Sequence, residues 1–182
     1  MRRKRVERRW SAKSRIGRLV RVVSMSLALT TGVIVAAFLA LQADSLWPFT
    51  LPIELEPVGW FLLIPGALLI VSAEHALFTV AHATGAPGDP PQKLVTTGPY
   101  GWMRNPIYVG ATALLFAVAF IDRSPTLLLV AFAFVPGICL FVQLVEEPRA
   151  ERRFGAWYLD YKRRVPRWIP RWPKRNDRPA QV

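Results

Sequence analysis

The chain alternates between long apolar runs and short polar segments. Four runs contain no charged residue, at positions 22–41, 58–73, 107–121 and 124–145. The second resumes after a Glu-His pair and continues to residue 81. A helix needs roughly 20 apolar residues to cross the core of a bilayer. The third run covers only about 22 Å at ~1.5 Å per residue, so it crosses only with help from its neighbours. The pattern predicts an all-α, multi-pass transmembrane helical bundle of about four spans.

Lysine and arginine are distributed unevenly around these runs. Residues 1–21 hold ten of the 24 basic side chains and the segment after Val145 holds eleven, whereas the linker 42–57 holds none. Loops on the cytoplasmic side of a membrane carry an excess of basic residues. We therefore expect both termini and the linker 82–105 to lie in the cytoplasm, in an integral protein of a bacterial cell membrane.

The boundaries of charge and hydropathy divide the chain into four regions. They are a basic N-terminal arm (1–18), two N-terminal transmembrane helices (19–81), a region of loop, helical hairpin 106–147 and amphipathic tail (82–170), and a basic disordered tail (171–182). The first apolar run is longer than the 7–15 residues usual in a cleaved signal peptide, so we interpret it as a retained anchor.

The net charge of +12 comes from basic residues that flank the apolar runs. In that position each attracts anionic lipid by about 1 kcal/mol. We therefore expect the basic termini to bind anionic membrane lipids, and we expect no nucleic-acid partner. The single cysteine, Cys139, falls within the fourth run, where we expect it to serve packing.

Helix-start signals set the boundaries of the last two spans. Pro106 suits the first turn of a helix with Asn105 near its N-cap, and Pro125 follows Ser124 in the same way. The tight turn at residues 122–125 predicts an antiparallel hairpin. The segments 104–108 and 143–147 must then lie close together in space.

Aromatic residues follow in the tail. Phe154, Trp157, Tyr158 and Tyr161 have the spacing of one helix face, and charged residues fill most other positions. This segment either anchors the tail at the membrane interface or folds back as a lid over the hairpin ends.

The second span contains Glu74 and His75. An ionisable group inside a membrane is costly and suggests function; the alternative is that the helix ends near Ala73 and Glu74 lies among headgroups. His75 and His82 are seven residues apart and can share a helix face, but two histidines do not make a metal site, and we expect no metal.

Residues suited to a polar, cationic ligand meet at one membrane face. An arginine offers a planar fork to a carboxylate, adjacent glutamates accept from an ammonium or from hydroxyls, and aromatic rings stack on a base or hold a cation. S-adenosylmethionine presents all of these features. The alternative is a plain salt bridge between Arg104 and the glutamates that closes the hairpin.

An ordered set of short motifs covers the second half of the chain. In order they read GPY (98–100), RNPIYVG (104–110), EEP (146–148), RRFG (152–155) and YLDYKRRVPRWIP (158–170). The set resembles the isoprenylcysteine carboxyl methyltransferase and phospholipid methyltransferase family of integral membrane enzymes, over about residues 84–170.

The resemblance implies methyl transfer from S-adenosylmethionine to a lipophilic or membrane-embedded acceptor, in a cofactor pocket at the cytoplasmic face. It implies Arg104 and Glu147 as catalytic residues. It further implies a cofactor-binding set that comprises Tyr100, Arg104, Asn105, Pro106, Tyr108, Glu146, Glu147, Tyr158 and Tyr161. The aromatic-basic block, with Arg163, Arg164 and Arg167, is expected to close the pocket. Asn105 stands where the family has histidine, and asparagine cannot titrate near neutral pH.

Two other functions fit the same pattern. A related membrane reductase would bind NADPH through the basic tail, and a non-enzymatic scaffold would bind lipid or a partner through its basic ends. The methyl acceptor is also open. A carboxylate or thiolate needs no base, whereas an amine must lose a proton, with Glu74, His75 or His82 as the candidate base.

Overall fold

A computed structural model describes residues 38–40, 42–81 and 93–171. Most of the first predicted span, the basic arm, residues 82–92 with His82, and residues 172–182 lie outside this part of the chain. Within it the protein is entirely helical, as the sequence predicts. The helices are α1 (Glu56–Ala81), α2 (Pro106–Ile121), α3 (Pro125–Phe141), α4 (Glu147–Phe154) and α5 (Ala156–Arg164). A π-helical segment, Val142–Glu146, joins α3 to α4 without a break, and short 3₁₀ turns cover Asp44–Leu46, Ile53–Leu55 and Gly98–Gly101.

Two helical stretches are long and apolar enough to cross a membrane, Ile53–Val80 and Pro125–Phe154. Only 22% and 11% of their most apolar windows are buried within the described part of the chain. A core helix of a soluble protein would be mostly buried, so these surfaces are suited to lipid. The third apolar helix, α2, is the short one, as its sequence predicts.

Small residues let α1 and α2 approach closely. A Cβ on Gly110 would lie 2.8 Å from the carbonyl oxygen of Gly66 and 2.6 Å from Cγ1 of Ile70. Ala73 on α1 and Ala117 on α2 are fully buried. Close backbone contact through small residues is the usual means by which helices associate where lipid removes the hydrophobic driving force.

The turn between α2 and α3 binds the linker that precedes α1. The Leu51 amide donates to the Arg123 carbonyl at 3.0 Å, and Arg123 Nε donates to the Leu51 carbonyl at 2.8 Å. Ser124 caps α3, because its hydroxyl oxygen accepts from the Leu127 amide at 3.0 Å. The Thr126 amide donates to Asp44. The predicted cap is confirmed, and the linker and this turn lie at the same end of the helices.

One expectation about the helices is wrong, and one question that the sequence left open is answered. The tail aromatics do not share one continuous helix face, because Gly155 adopts a positive φ of 53° and separates α4 from α5, which leaves Trp157 55% exposed. Helix α1 does not end near Ala73 but continues to Ala81, so Glu74 and His75 lie within it.

Candidate functional site

Residues 165–171, here called the C-terminal strap, lie against the segment that leads into α2. The Arg104 amide donates to the Pro166 carbonyl at 2.9 Å, and the Arg171 amide donates to the Trp102 carbonyl at 3.0 Å. The Asn105 side chain adds a third bond, from Nδ2 to the Arg167 carbonyl at 3.1 Å. Of the two predicted roles for the tail, the fold-back over the hairpin end is the one that these contacts favour.

Glu147 is the centre of a charged cluster where this segment, the strap and α5 meet. Glu147 is buried, with 4% of its surface exposed. Arg104 Nη1 lies 2.8 Å from its Oε1, and Arg167 donates in a fork, from Nε to Oε1 at 2.7 Å and from Nη2 to Oε2 at 2.9 Å. Lys162 Nζ lies 3.2 Å from Oε2. The prediction that 104–108 and 143–147 lie close together is confirmed.

Three residues of the tail pack beneath this cluster. Tyr158, Tyr161 and Val165 are buried together, and the Tyr161 hydroxyl donates to the Tyr100 carbonyl at 2.7 Å. Burial raises the pKa of Tyr161, and burial followed by the nearby Glu147 charge raises the pKa of Tyr158. Both phenols therefore stay neutral at physiological pH; Tyr161 donates its hydrogen bond, whereas Tyr158 accepts one from Arg104.

Glu146 faces a different set of groups. The Tyr108 hydroxyl donates to its Oε1 at 2.6 Å. Burial first, and then the charges of Glu74 and Glu146, raise the pKa of Tyr100. The two adjacent glutamates thus differ in their hydrogen-bond partners: Glu146 accepts from a phenol, and Glu147 accepts from cations. Glu146 is the last residue of the π-helical segment Val142–Glu146, and Glu147 follows it directly. Such π-helical turns are frequent at functional sites.

The structure brings together all nine of the predicted cofactor-binding residues at one end of the helices. Pro106 is buried at the first position of α2, as expected. Two members of the aromatic-basic block lie elsewhere: Arg163 and Arg164 both pair with Asp160 on α5, and the Arg163 side chain is 77% exposed.

One residue of the cluster, Lys162, was missed by sequence reasoning. Hydrogen bonds to Glu151 first, and to Glu147, raise its pKa. Its spacing of four residues from Tyr158 is a signal that could have found it, since both then share a helix face.

The space between Arg104 and Glu147 is filled by their own ion pair, so any ligand must lie to one side of it. Arg104 Nε is buried and has no hydrogen-bond acceptor among the described residues. Such a donor is costly to leave unmet, and a ligand carboxylate or hydroxyl would satisfy it. No group of three metal-ligating side chains occurs within the described ranges.

An open groove of about 580 Å³ runs beside α1 toward the same end of the molecule. It lies between the α1 face from Leu68 to Val80 and the turn at Thr97–Pro99, and His75 is part of its lining. Its surface is mainly apolar, which suits a hydrocarbon chain more than a polar cofactor.

Comparison with known proteins gives two matches. Residues 55–156 match a family model described as phospholipid methyltransferase. The match takes in α1, which the sequence motifs did not reach. A protein-S-isoprenylcysteine O-methyltransferase from Mus musculus is 31% identical over 132 residues, which cover 68% of this chain and 44% of the mouse protein. The chain therefore spans less than half the length of this curated relative.

Proposed function

The chain belongs to the phospholipid methyltransferase family, and from this we propose that it transfers a methyl group from S-adenosylmethionine to a lipophilic or membrane-embedded acceptor. We place the reaction at the cytoplasmic face of a membrane, the side on which the distribution of basic residues predicts both termini. The observation that carries the proposal is the convergence of the motif residues, with Arg104 Nη1 only 2.8 Å from Glu147 Oε1 although 43 positions separate them in sequence.

The groups at this end of the helices fit the proposed cofactor. Glu146 offers a carboxylate to an ammonium or to ribose hydroxyls, and Tyr100 and Tyr108 offer aromatic faces to a base or a cation. Arg104 Nε offers a buried donor without an acceptor among the described residues. When bound, S-adenosylmethionine supplies an electrophilic methyl group on a positively charged sulfur.

The chain's own residues contribute mainly by binding, orienting and excluding water. Positioning two reactants and removing solvent accounts for a large share of such a barrier, so a dedicated triad is not needed. Arg104 and Glu147, the predicted catalytic pair, define the wall of the site, while Asn105 and Pro106 set the start of α2. Tyr158 and Tyr161 support the wall from below.

The acceptor is proposed to be a molecule with a hydrocarbon tail and a polar head. The names of the family and of the mouse relative both refer to lipidic molecules, a phospholipid and an isoprenylcysteine. The groove beside α1 offers apolar surface to such a tail. An amine head must lose a proton, for which His75 in the groove is the candidate base, whereas a carboxylate or thiolate head needs none.

The two alternatives receive less support. The family match favours methyl transfer over an NADPH-dependent reductase. A scaffold would not need the buried donor at Arg104.

Isothermal titration with S-adenosylhomocysteine, on the full-length protein in detergent, tests the proposal. We expect the wild type to bind, and Glu146→Gln to bind at least about tenfold more weakly, because a hydrogen bond to a charged group contributes about 1.5–3 kcal/mol. The matched control is Arg152→Gln, an exposed residue of α4, with unchanged affinity. Absence of heat from the wild type, or binding of NADPH in place of S-adenosylhomocysteine, would contradict the proposal.

A further inference from the structure

Glu147 has no hydrogen-bonding capacity left for a ligand. A carboxylate has about four lone-pair sites, two on each oxygen. Oε1 receives Arg104 Nη1 and Arg167 Nε, and Oε2 receives Arg167 Nη2 and, at 3.2 Å, Lys162 Nζ. Four donors therefore meet about four sites on a side chain that is 5% exposed.

The donors come from three separate parts of the chain. Arg104 precedes α2, Lys162 belongs to α5, and Arg167 belongs to the C-terminal strap. Without the carboxylate of Glu147, three positive charges would face one another with no counter-charge between them; the Arg104 side chain is 9% exposed, whereas those of Arg167 and Lys162 are 27% and 35% exposed. The strap would lose its forked pair with Glu147, and Arg167 would face the buried charge of Arg104, so the strap would be held less firmly on the segment that it covers.

Glu146 differs in this respect, although it is the next residue. Within the described part of the chain it accepts one side-chain hydrogen bond, from the Tyr108 hydroxyl at 2.6 Å, and the charge of Arg149 also acts on it. It therefore accepts fewer hydrogen bonds from the chain than Glu147 does, which leaves acceptor capacity for a ligand. The adjacent glutamates thus differ in what they can bind.

We propose that Glu147 is a positioning residue, whose role is to hold the C-terminal strap across the segment 102–105 and so keep the cofactor site closed. This role rests on the proposed function. It assigns direct contact with the ligand to Glu146 and gives Glu147 an indirect effect through Arg167. If the strap opens, only the closed fraction binds well, and the apparent Kd rises in inverse proportion to that fraction.

Hydrogen exchange on the full-length protein without ligand tests the position of the strap directly. The reporters are the Arg104 and Arg171 amides, which donate across the strap to Pro166 and Trp102. In Glu147→Gln we expect both to exchange about tenfold faster or more, since bonds to a charged group are lost. Unchanged protection of both amides in this variant overturns the proposal.

The matched control for exchange is Glu151→Gln. Glu151 lies one turn further along α4 and pairs with Lys162 at 2.8 Å, and within the described part of the chain it makes no hydrogen bond or ion pair with the strap. We expect protection of the Arg104 and Arg171 amides to stay within about twofold of wild type, since such an exposed pair contributes about 0–1 kcal/mol. A loss as large as that of Glu147→Gln would mean that any missing charge on α4 loosens the tail, and would overturn the specific role.

A double-mutant cycle on binding of S-adenosylhomocysteine separates an indirect effect from direct contact. If Glu147 acts through Arg167, the Glu147→Gln/Arg167→Gln double variant binds no more weakly than the weaker single variant, within about twofold. Effects that multiply would assign Glu147 to the ligand and overturn the proposal. Should Glu147→Gln fail to fold, Arg167→Lys keeps the charge but loses the fork, and the same acceleration of exchange, smaller in size, is expected.

Failure of this inference and failure of the proposed function look different. If the wild type does not bind S-adenosylhomocysteine but exchange of the strap amides still accelerates in Glu147→Gln, the proposed function is contradicted and the positioning role is supported. If the wild type binds S-adenosylhomocysteine but exchange of the strap amides is unchanged in Glu147→Gln, only the positioning role is contradicted.

Discussion

The side-chain amide of Asn105 donates to the main-chain carbonyl of Arg167 at 3.1 Å, across 62 positions of sequence. Asparagine at the N-cap of a helix ordinarily accepts from the first turn of its own helix. In α2 no such bond forms, so this side chain serves the strap in place of the helix.

Asn105→Ala should therefore loosen the strap while leaving α2 intact. One neutral hydrogen bond contributes about 1 kcal/mol, which corresponds to roughly fivefold faster exchange of the Arg171 amide. Asn105→His should retain most of the protection, because a neutral imidazole still has one N–H to donate. Hydrogen exchange of the two variants at pH 8 measures both effects. Unchanged protection of the Arg171 amide in Asn105→Ala would show that the bond to Arg167 contributes nothing.

The boundaries of the hairpin could be predicted because their causes are local. Ser124 with Pro125, and Asn105 with Pro106, carry the signals of helix starts in adjacent residues. Once the turn at 122–125 is recognised, an antiparallel pair follows, and Arg104 must come near Glu147. The predicted proximity needed no knowledge of the tail.

The details of the charged cluster could not be predicted in the same way. Lys162 and Arg167 reach Glu147 only because Gly155 breaks the tail helix at a positive φ and α5 changes direction. The π-helical segment Val142–Glu146 lies directly before Glu147. Neither has a clear local signal, and both decide which cation faces which carboxylate.

The close contact between α1 and α2 can be tested with two glycine variants that are expected to have opposite effects on stability. Gly110→Ala would place a Cβ 2.8 Å from the Gly66 carbonyl oxygen, so the helices must separate, at a cost of about 1–3 kcal/mol. Gly137→Ala on α3 meets no atom within 4 Å, and alanine favours a helix over glycine by about 1 kcal/mol. Apparent Tm in detergent should fall for the first and stay or rise for the second. A fall of equal size in both would contradict the close approach at Gly110.

Arg123 connects the α2–α3 turn to the linker before α1 through hydrogen bonds. Its backbone has a positive φ of 55°. Arg123→Ala removes its bonds to the Leu51 carbonyl and to Thr50 Oγ1 and keeps the strained backbone. Arg123→Gly removes the same bonds and relieves the strain, about 1–2 kcal/mol for a residue with a Cβ. The glycine variant should thus have the higher apparent Tm of the two. Both should bind S-adenosylhomocysteine like wild type, since this turn lies at the opposite end of the helices, and loss of binding in either would contradict that separation.

The chemical class of the acceptor is open to a direct measurement. Cells that do or do not express the protein are fed methyl-labelled methionine, and their lipid extracts are compared by mass spectrometry. We expect a labelled product that partitions into the lipid fraction and that falls in Glu146→Gln cells, because that carboxylate is proposed to hold the cofactor. His75→Gln separates the acceptor classes. An amine acceptor must lose a proton before it attacks, so its product should fall in this variant, whereas an ester or thioether product should not. A labelled product found only among water-soluble metabolites would contradict an acceptor bound through the groove beside α1.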